Sequence, residues 1–225
     1  MQRNEYEGLA SGWSPEGVGG ESVVAHFGQH NAYGDYELLF TDIESPEKII
    51  LDFGCGPGRN LVKYHGRFAR IDGVDIGQNN LNNAAKWLEY NNITNPGNLY
   101  RNDGVSLNTV PSDTYDIVMS VITMQHIAVY DIRYSLFQDM FRVLKPDGWI
   151  TIQMGYGPDR QGGVPYFAND TKIGGTNGFH DVLVTDVNDL KNDLEKIGYR
   201  NFSFQIRPVG PGDLHNQWIF FRAQK

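Results

Sequence analysis

The sequence predicts an open α/β fold, with a mostly parallel sheet and helices on both faces, and three observations support this class. Short apolar segments rich in Ile, Val and Leu, such as residues 49–53 and 115–121, are typical of parallel strands buried on both faces. Amphipathic helical patterns separate the apolar segments, for example in residues 78–91. The first apolar segment runs into a glycine-rich turn that opens a helix, an arrangement that binds nucleotide-like ligands.

Strand and helix patterns alternate along most of the chain. A short helix is expected over residues 59–68 after the glycine turn, and another over 131–144. Residues 145–148, Lys-Pro-Asp-Gly, predict a tight turn, and Thr185 is expected to cap a last helix that ends at Gly198. The inner face of the helix over 78–91 is predicted to contain Leu81, Ala84, Ala85 and Leu88. Seven segments have strand patterns: residues 49–53, 69–75, 99–101, 115–121, 149–154, 200–206 and 217–222.

Composition limits the class of protein. The 225 residues suit a single domain with one full hydrophobic core. A formal net charge of -8 argues against nucleic acid or an anionic membrane as a partner, because both attract basic proteins. The start of the chain is polar and no apolar run reaches membrane-spanning length, so a cytoplasmic protein is expected. Cys55 is the one cysteine, which excludes an internal disulfide, and no metal site is predicted.

Two regions interrupt the strand and helix alternation. Residues 1–45 form an irregular leader with short helical patterns at 21–27 and 36–40. The rings of this leader either pack it onto the domain or close over a cofactor or substrate. Residues 155–183 are rich in glycine and aromatic residues, which predicts a lid-like insertion. The rings of the leader include Tyr6, Trp13, His26, Phe27, Tyr33 and Tyr36.

The strongest functional signal is the run L-D-F-G-C-G-P-G at residues 51–58. Gly54, Gly56 and Gly58 turn the chain sharply without a Cβ penalty and let a ligand approach the backbone N–H groups of the helix start. A dinucleotide site has its third glycine one residue later, where this chain has Arg59. A nucleotide-dependent oxidoreductase is therefore disfavoured.

The run from Leu51 to Gly58 closely resembles motif I of the class I S-adenosylmethionine-dependent methyltransferases. Residues 73–76 (G-V-D-I), 116–120 (D-I-V-M-S) and 144–150 (L-K-P-D-G-W-I) are also similar to that family. The resemblance covers residues 46–154 well and the remainder in outline. It implies a seven-stranded Rossmann-like sheet with an antiparallel last strand, and S-adenosylmethionine as the cofactor.

Several acids and glycines are candidates for the cofactor site. Asp75 follows Gly54 by 21 residues at the tip of the second strand, where an acid that binds ribose hydroxyls is expected, and Asp72 is the rival. Ile76 is placed to lie against an adenine ring. The resemblance implies that Asp103 accepts a hydrogen bond from the adenine amino group, with a turn-capping aspartate as the alternative. The full predicted set is Asp52, Gly54, Cys55, Gly56, Gly58, Asn60, Asp75, Ile76, Asp103, Gly104, Ser120 and Gln125.

The candidate for catalysis lies just beyond the fourth strand. In open α/β sheets this position borders the glycine turn, at the point where ligands bind. His126 is there, and an imidazole can take a proton near neutral pH, so we predict a general base. The alternative is that His126 packs beneath the lid or caps a helix.

The predicted function is methyl transfer from S-adenosylmethionine to a small-molecule acceptor. A non-enzymatic module that senses the cofactor is the alternative, because all its cofactor contacts would be the same. The choice between an oxygen, nitrogen or carbon acceptor stays open.

Overall fold

The computed structural model describes residues 7–8, 12–17, 34–157, 163–169, 181–209 and 215–225. Most of the described chain belongs to strands and helices that agree with the predicted alternation. The strands are β1 (Ile49–Phe53), β2 (Arg70–Asp75), β3 (Leu99–Arg101), β4 (Tyr115–Val121), β5 (Leu144–Tyr156), β6 (Val164–Pro165), β7 (Val182–Leu183), β8 (Arg200–Pro208) and β9 (Gln217–Gln224).

Seven of these strands form one sheet in the order β3-β2-β1-β4-β5-β9-β8, and β6 pairs with β7 separately. Strand β1 pairs in parallel with both β2 and β4, so the strand order reverses between these two neighbours. Strand β9 runs antiparallel to both β5 and β8. The predicted fold class, a mostly parallel seven-stranded sheet with an antiparallel last strand, is confirmed.

The predicted tight turn at residues 145–148 lies inside β5 instead of preceding it. Tyr115 pairs with Leu144 and Ile117 with Trp149, so two steps along β4 match five along β5. The extra residues form an irregular bulge in which Asp147 has a φ of 63°. The turn residues bend the chain locally, but pairing with β4 resumes after them, so the strand continues.

Within the described residues, four helices cover the sheet: α1 (Arg59–Tyr64), α2 (Gln78–Tyr90), α3 (Tyr130–Val143) and α4 (Val187–Ile197). Helix α1 is shorter than predicted. Ala85 is exposed instead of buried, and Trp87 takes the inward position on α2. Asp186, not Thr185, caps α4, because its side chain accepts the Asn188 N–H at 2.8 Å. None of the helices among the described residues has an apolar stretch long enough to cross a bilayer.

Part of the aromatic leader packs onto the domain. A 3₁₀ helix over Gly34–Leu39 places Tyr36 in the core on one face of the sheet, 2% exposed and stacked on Trp218. The Trp87 indole N–H donates to the Trp13 carbonyl at 2.7 Å, which fixes the leader to α2. Packing is thus confirmed for Tyr36, whereas the predictions for Tyr6, His26, Phe27 and Tyr33 lie outside the described residues.

The described part of the predicted insertion is also packed. Gly155 and Tyr156 belong to β5, and Val164 and Tyr166 are buried. The buried Arg133 guanidinium donates to the Ile127 and Tyr166 carbonyls, so it joins the segment after β4 to the insertion. Burial lowers the pKa of Arg133 to about 10. Residues 158–162 and 170–180 of the predicted lid lie outside the described residues.

Candidate cofactor and catalytic site

The glycine turn has the strained backbone that its sequence predicts. Gly54, Gly56 and Gly58 have φ values of 74°, 53° and 92°, a region that residues with a Cβ rarely adopt. A Cβ on Gly54 would lie 2.2 Å from the Thr123 side chain, so the turn packs closely against the segment after β4. A Cβ on Gly56 would meet nothing within 4 Å. Gly56 therefore faces open space at the edge of the sheet where β1 and β4 end.

Asp75 connects the turn to the tip of β2. One carboxylate oxygen accepts the Gly56 N–H at 2.9 Å, and the other accepts Gly77 N–H at 2.8 Å and the Asn80 amide at 3.0 Å. Burial raises the pKa of Asp75, against the lowering effect of these hydrogen bonds. The predicted ribose-binding acid and the glycine turn thus lie in direct contact.

The rival acid, Asp72, has a structural position. Its carboxylate accepts the Asn98 N–H and the Tyr115 hydroxyl, both at 2.8 Å, and pairs with Arg70 at 2.9 Å. Asp72 is fully buried among these partners, so it holds β2 against the neighbouring elements.

Asp52 is a buried acid whose charge is only partly compensated. Neither carboxylate oxygen has a hydrogen-bond partner among the described residues, and the side chain is 0% exposed. Burial raises the pKa of Asp52 to about 7, while the nearby Asn60 amide and Arg59 charge act in the opposite direction. An acid in this state is costly, and a cation beside it would relieve that cost.

Asp103, the predicted adenine contact, is bonded within its own turn in the structure, and its contact with adenine stays a prediction. Asp103 is exposed, and its carboxylate accepts the Val105 N–H at 2.9 Å and the Ser106 N–H at 2.8 Å. It caps a turn, which is the alternative considered above. The preceding Asn102 is buried, and its side-chain oxygen has no hydrogen-bond partner in the part of the chain that the structure describes. Its backbone N–H donates to the Asp75 carbonyl at 3.1 Å, so Asn102 lies beside the predicted ribose acid.

Ile76 and Gly104, two of the predicted cofactor residues, lie in close contact. Gly104 has a φ of 87°, and a Cβ on it would lie 2.6 Å from the Ile76 side chain. The absence of a Cβ at residue 104 therefore lets this turn pack on Ile76.

The segment after β4 has an unusual backbone. Ile122 has a φ of 66°, and a β-branched residue in this region is under strain of about 1–3 kcal/mol. Its N–H donates to the Gln153 side chain at 2.9 Å, and the Thr123 hydroxyl donates to the Gly54 carbonyl at 3.2 Å. These bonds fix the segment against the glycine turn.

His126 follows in a short 3₁₀ turn over Met124–His126. Its Nδ1 lies 2.5 Å from Oδ1 of Asp181, and its side chain is 33% exposed. The second oxygen of Asp181 lies 2.9 Å from Nε2 of His215. Burial opposes ionisation of Asp181, but hydrogen bonds from both histidines outweigh it and hold the pKa of Asp181 well below its usual value.

Three predicted cofactor residues use their side chains elsewhere. The Gln125 amide, which is buried, donates to Asp181 at 2.8 Å and accepts the Gly155 N–H at 2.9 Å. The buried Ser120 hydroxyl donates to the Phe53 carbonyl at 3.0 Å. The Cys55 thiol is also buried, and burial raises its pKa well above the usual value. The side chains of Gln125 and Ser120 are thus bonded to protein groups, and that of Cys55 lies in the core. Of the three residues, only Cys55 belongs to the glycine turn, where its backbone remains available to a ligand.

Sequence reasoning missed Asn102, Asp181 and His215. Asn102 had a weak signal, since it is the first residue after a predicted strand. Asp181 and His215 had no sequence signal. Asp181 contacts His126 across 55 residues of sequence, and His215 contacts Gln125 across 90. Among the described residues, no group of three His, Cys, Asp or Glu side chains is arranged to hold a metal ion.

Comparison with known proteins agrees with this geometry. Residues 50–148 match the family model of a methyltransferase domain. The probable methyltransferase ltbC of Aspergillus luteorubrus is 35% identical over an alignment of 106 residues that covers 44% of this chain and 37% of that protein. The chain therefore spans little more than a third of this relative's length.

Solved structures share the fold at low sequence identity. An S-adenosylmethionine-dependent methyltransferase from Aquifex aeolicus aligns over 84% of this chain and 89% of its own, with a TM-score of 0.59 and 17% identity. Phosphoethanolamine N-methyltransferase 2 of Haemonchus contortus, in complex with S-adenosylmethionine, aligns over 86% of this chain and 52% of its own, with a TM-score of 0.63 and 16% identity. Residues 50–148 therefore match a methyltransferase domain, and the chain shares its fold with solved S-adenosylmethionine-dependent methyltransferases, which supports the predicted family.

Proposed function

We propose that this chain transfers the methyl group of S-adenosylmethionine to a small-molecule acceptor whose nucleophilic atom carries a proton. The observation that best supports the proposal is the buried Asp52 carboxylate, which has no hydrogen-bond partner within the described ranges and lies near the end of β1, just before the glycine turn. The cofactor is an amino acid derivative with an ammonium group, which is the charge that such an acid needs.

The residues of the site fit the three parts of the cofactor. The turn at Gly54, Gly56 and Gly58, with Asp52 and Asn60, would hold the amino acid part. Asp75 would accept hydrogen bonds from the ribose hydroxyls, because each carboxylate oxygen can accept more than one donor. The adenine would lie near Ile76, Gly104 and Asn102, and the buried, unpartnered side-chain oxygen of Asn102 suits an amino group.

When bound, the cofactor supplies an electrophilic methyl group on a sulfonium. The chain's own task is then to align an acceptor and exclude water, for which a well-ordered site can supply about 7–11 kcal/mol. The bonds from Ile122 to Gln153 and from Thr123 to Gly54 hold one wall of the site rigid. This rigidity favours alignment as the main source of catalysis.

His126 is proposed as the general base. It lies three residues beyond Thr123, which contacts the glycine turn, and it is partly exposed. An acceptor that must lose a proton before or during attack would gain typically 10²–10⁴-fold from a positioned base. The net charge of -8 favours a small acceptor over nucleic acid.

The proposal is tested in two steps. Calorimetry should show that the full chain binds S-adenosylmethionine and S-adenosylhomocysteine, and absence of binding would overturn the proposal. Transfer of a radiolabelled methyl group is then measured with a panel of small phenols, alcohols and amines. His126→Gln should keep the affinity for S-adenosylhomocysteine but lose most turnover. Tight cofactor binding with no transfer to any class of acceptor would instead indicate a cofactor-sensing module.

A further inference from the structure

We propose that the side-chain amide of Gln153 binds the nucleophilic atom of the methyl acceptor, and that this atom is the oxygen of a hydroxyl group rather than a nitrogen or a carbon. The inference rests on the proposed function, because it takes methyl transfer as given. It names the class of acceptor that the site selects, and it assigns a role to a buried residue of β5 that the proposed cofactor contacts leave unused.

The first step of the argument is the orientation of the amide. The Gln153 side chain accepts the backbone N–H of Ile122 at 2.9 Å. A backbone N–H can only donate, so the amide atom that it meets is the oxygen, and the other atom is the nitrogen with its two hydrogens. Ile122 has a φ of 66°, so the bond to Gln153 also holds a strained backbone in place. The orientation of the amide is therefore fixed.

The second step is the state of the amide nitrogen. Gln153 is 0% exposed, and its nitrogen has no hydrogen-bond partner in the described part of the chain. Its register partners on the neighbouring strands, Val121 of β4 and Phe220 of β9, are both buried and apolar. A buried donor without an acceptor costs free energy. Because these neighbours have no side-chain acceptor, a ligand is the partner that would remove this cost.

The third step is the place of Gln153 in the sheet. The strand order β3-β2-β1-β4-β5 arranges the proposed site along one edge. Asn102 follows β3, Asp75 ends β2 and Asp52 lies near the end of β1, so the proposed cofactor contacts occupy the first three strands. Gln153 pairs in register with Val121, the last residue of β4, and lies two strands, or about 10 Å, from β1. It therefore lies beyond the cofactor contacts, on the side from which an acceptor approaches.

The segment after β4 connects this amide to the glycine turn. Ile122 bonds to Gln153, and the next residue, Thr123, donates its hydroxyl to the Gly54 carbonyl at 3.2 Å. Ile122 and Thr123 are partly exposed, whereas Gln153 is buried beside them. A ligand that lies along this segment would therefore contact both the glycine turn and the amide.

The last step is the chemistry of the acceptor. A hydroxyl oxygen has two lone pairs, so it can accept the Gln153 N–H with one and attack the methyl group with the other. A neutral amine has a single lone pair, which the attack uses, and an ammonium has none. A carbon nucleophile likewise has no second pair, and sulfur is a weak acceptor. The donor therefore favours an oxygen acceptor, such as a phenol or an alcohol, over the other classes.

Two alternatives give different results. In the first, Gln153 only holds the strained backbone of Ile122. In the second, the amide donates to the carboxylate of the cofactor, which is a strong acceptor. A structural role would affect all acceptors equally, and a cofactor role would lower the affinity for S-adenosylhomocysteine. The ratio of activities on an oxygen and a sulfur acceptor separates both from the proposal, since that ratio does not depend on the fraction of folded protein.

The experiment uses the full chain and adds thiols that match the phenols and alcohols of the panel, for example 2-naphthalenethiol beside 2-naphthol. Wild type should methylate the oxygen compounds in preference to amines. Gln153→Met keeps the length of the side chain but has no N–H donor. It should lower the ratio of kcat/KM for the oxygen compound to that for its thiol about 10- to 100-fold, as expected for a lost hydrogen bond to a charged group. Its affinity for S-adenosylhomocysteine should stay near the wild-type value.

Thr151→Val is the matched control. Thr151 lies two residues before Gln153, on the same strand and the same face, and is 1% exposed. Its hydroxyl donates to the Leu39 carbonyl at 2.7 Å. The valine variant thus removes a buried polar group of β5 that has a protein partner. It should lower the melting temperature and leave the oxygen-to-sulfur ratio unchanged.

Gln153→Glu is a second variant, which keeps the test decisive if methionine at this position prevents folding. The glutamate keeps an oxygen for the Ile122 N–H. Its protonated acid still has an O–H donor, whereas its carboxylate has none. The oxygen-to-sulfur ratio, relative to that of wild type at the same pH, should therefore fall as the glutamate ionises with rising pH.

Each outcome supports or overturns the assignment. An oxygen-to-sulfur ratio that the Gln153 variants leave unchanged, or raise, overturns it and makes Gln153 a structural residue. A loss of affinity for S-adenosylhomocysteine in Gln153→Met assigns the amide to the cofactor and overturns it as well. Transfer to amines alone overturns it while the proposed function stands. If wild type binds no cofactor or methylates no acceptor, the proposed function itself fails, and this assignment fails with it.

Discussion

The Gly56 backbone N–H donates to the Asp75 carboxylate across 2.9 Å, so the glycine turn after β1 is held by the acid at the tip of β2. The two elements that sequence spacing assigns to one ligand are thus bonded to each other. The bonds to Gly56, Gly77 and Asn80 orient the carboxylate and leave further acceptor capacity on its oxygens. Asp75 can therefore hold the glycine turn in place and bind a diol at the same time.

We expect Asp75→Ala to weaken S-adenosylhomocysteine binding about 10- to 100-fold, because hydrogen bonds to a charged group contribute about 1.5–3 kcal/mol each. Calorimetry measures this affinity. Asp72→Ala is the matched control, since Asp72 bonds only to protein groups at Asn98, Tyr115 and Arg70. It should lower the melting temperature with little effect on affinity. If Asp72→Ala loses affinity and Asp75→Ala keeps it, Asp72 is the acid that binds the ribose.

The glycine turn offers a comparison between two glycines with similar local geometry. Gly56 and Gly66 have φ values of 53° and 80°, and a Cβ on either would meet nothing within 4 Å. Alanine at each position should cost about 1–2 kcal/mol of stability through the left-handed backbone. Only Gly56→Ala should also reduce cofactor affinity, because only Gly56 lies in the proposed site. Equal affinities of the two variants in calorimetry would place the cofactor elsewhere.

Two neighbouring residues, Asn102 and Asp103, are candidates for binding the adenine. Asn102 is buried with an unpartnered side-chain oxygen, whereas Asp103 is exposed and bonded within its own turn. We expect Asn102→Ala to weaken binding of S-adenosylhomocysteine and Asp103→Ala to leave it nearly unchanged. Competition by adenosine, measured in parallel, checks that any loss concerns the nucleoside part. A larger loss for Asp103→Ala would restore the assignment that the sequence suggested.

These residues also show how far the sequence can predict the site. Strand ends are reliable, because the apolar runs before Gly54 and Asp75 leave little doubt about where each strand stops, and both positions were predicted. Asp103 follows from the family resemblance, and it stays a prediction; successive side chains after a strand point to opposite sides, so the neighbouring Asn102 is a distinct candidate. An uncertainty of one residue at a helix start explains the choice of Thr185 over Asp186 as the helix cap.

Contacts between distant segments were beyond prediction. Asp181 and His215 meet only because the chain returns to β5 twice, through β7 and β9, after stretches with no regular pattern. His126 was identified from its place beyond β4, but nothing in the sequence indicated its partner. The bond from Gln125 to Asp181 has the same origin, and it redirects a side chain that sequence position alone assigned to the cofactor.

A pH dependence of stability follows from Asp52. Burial raises its pKa from 3.8 to about 7 in the folded chain. Between these values the folded state holds a proton that the unfolded state has released, so the free energy of unfolding falls as pH rises from about 4 to about 7. Asp52→Asn cannot ionise and should remove this loss. The variant should therefore gain stability relative to the wild type over this range, with a constant difference above it, as denaturant unfolding at several pH values can measure.

Cofactor binding should convert Asp52 from the protonated acid to the carboxylate. An ammonium group beside the carboxylate favours ionisation, so binding below pH 7 should release close to one proton from Asp52, and almost none above pH 8. Calorimetry of S-adenosylhomocysteine binding in buffers of different ionisation enthalpy counts these protons. Subtracting the result for Asp52→Asn removes any contribution from the ligand's own amino group. If wild type and variant exchange the same number of protons at pH 6, Asp52 does not meet the ammonium group, and the amino acid part of the cofactor binds elsewhere.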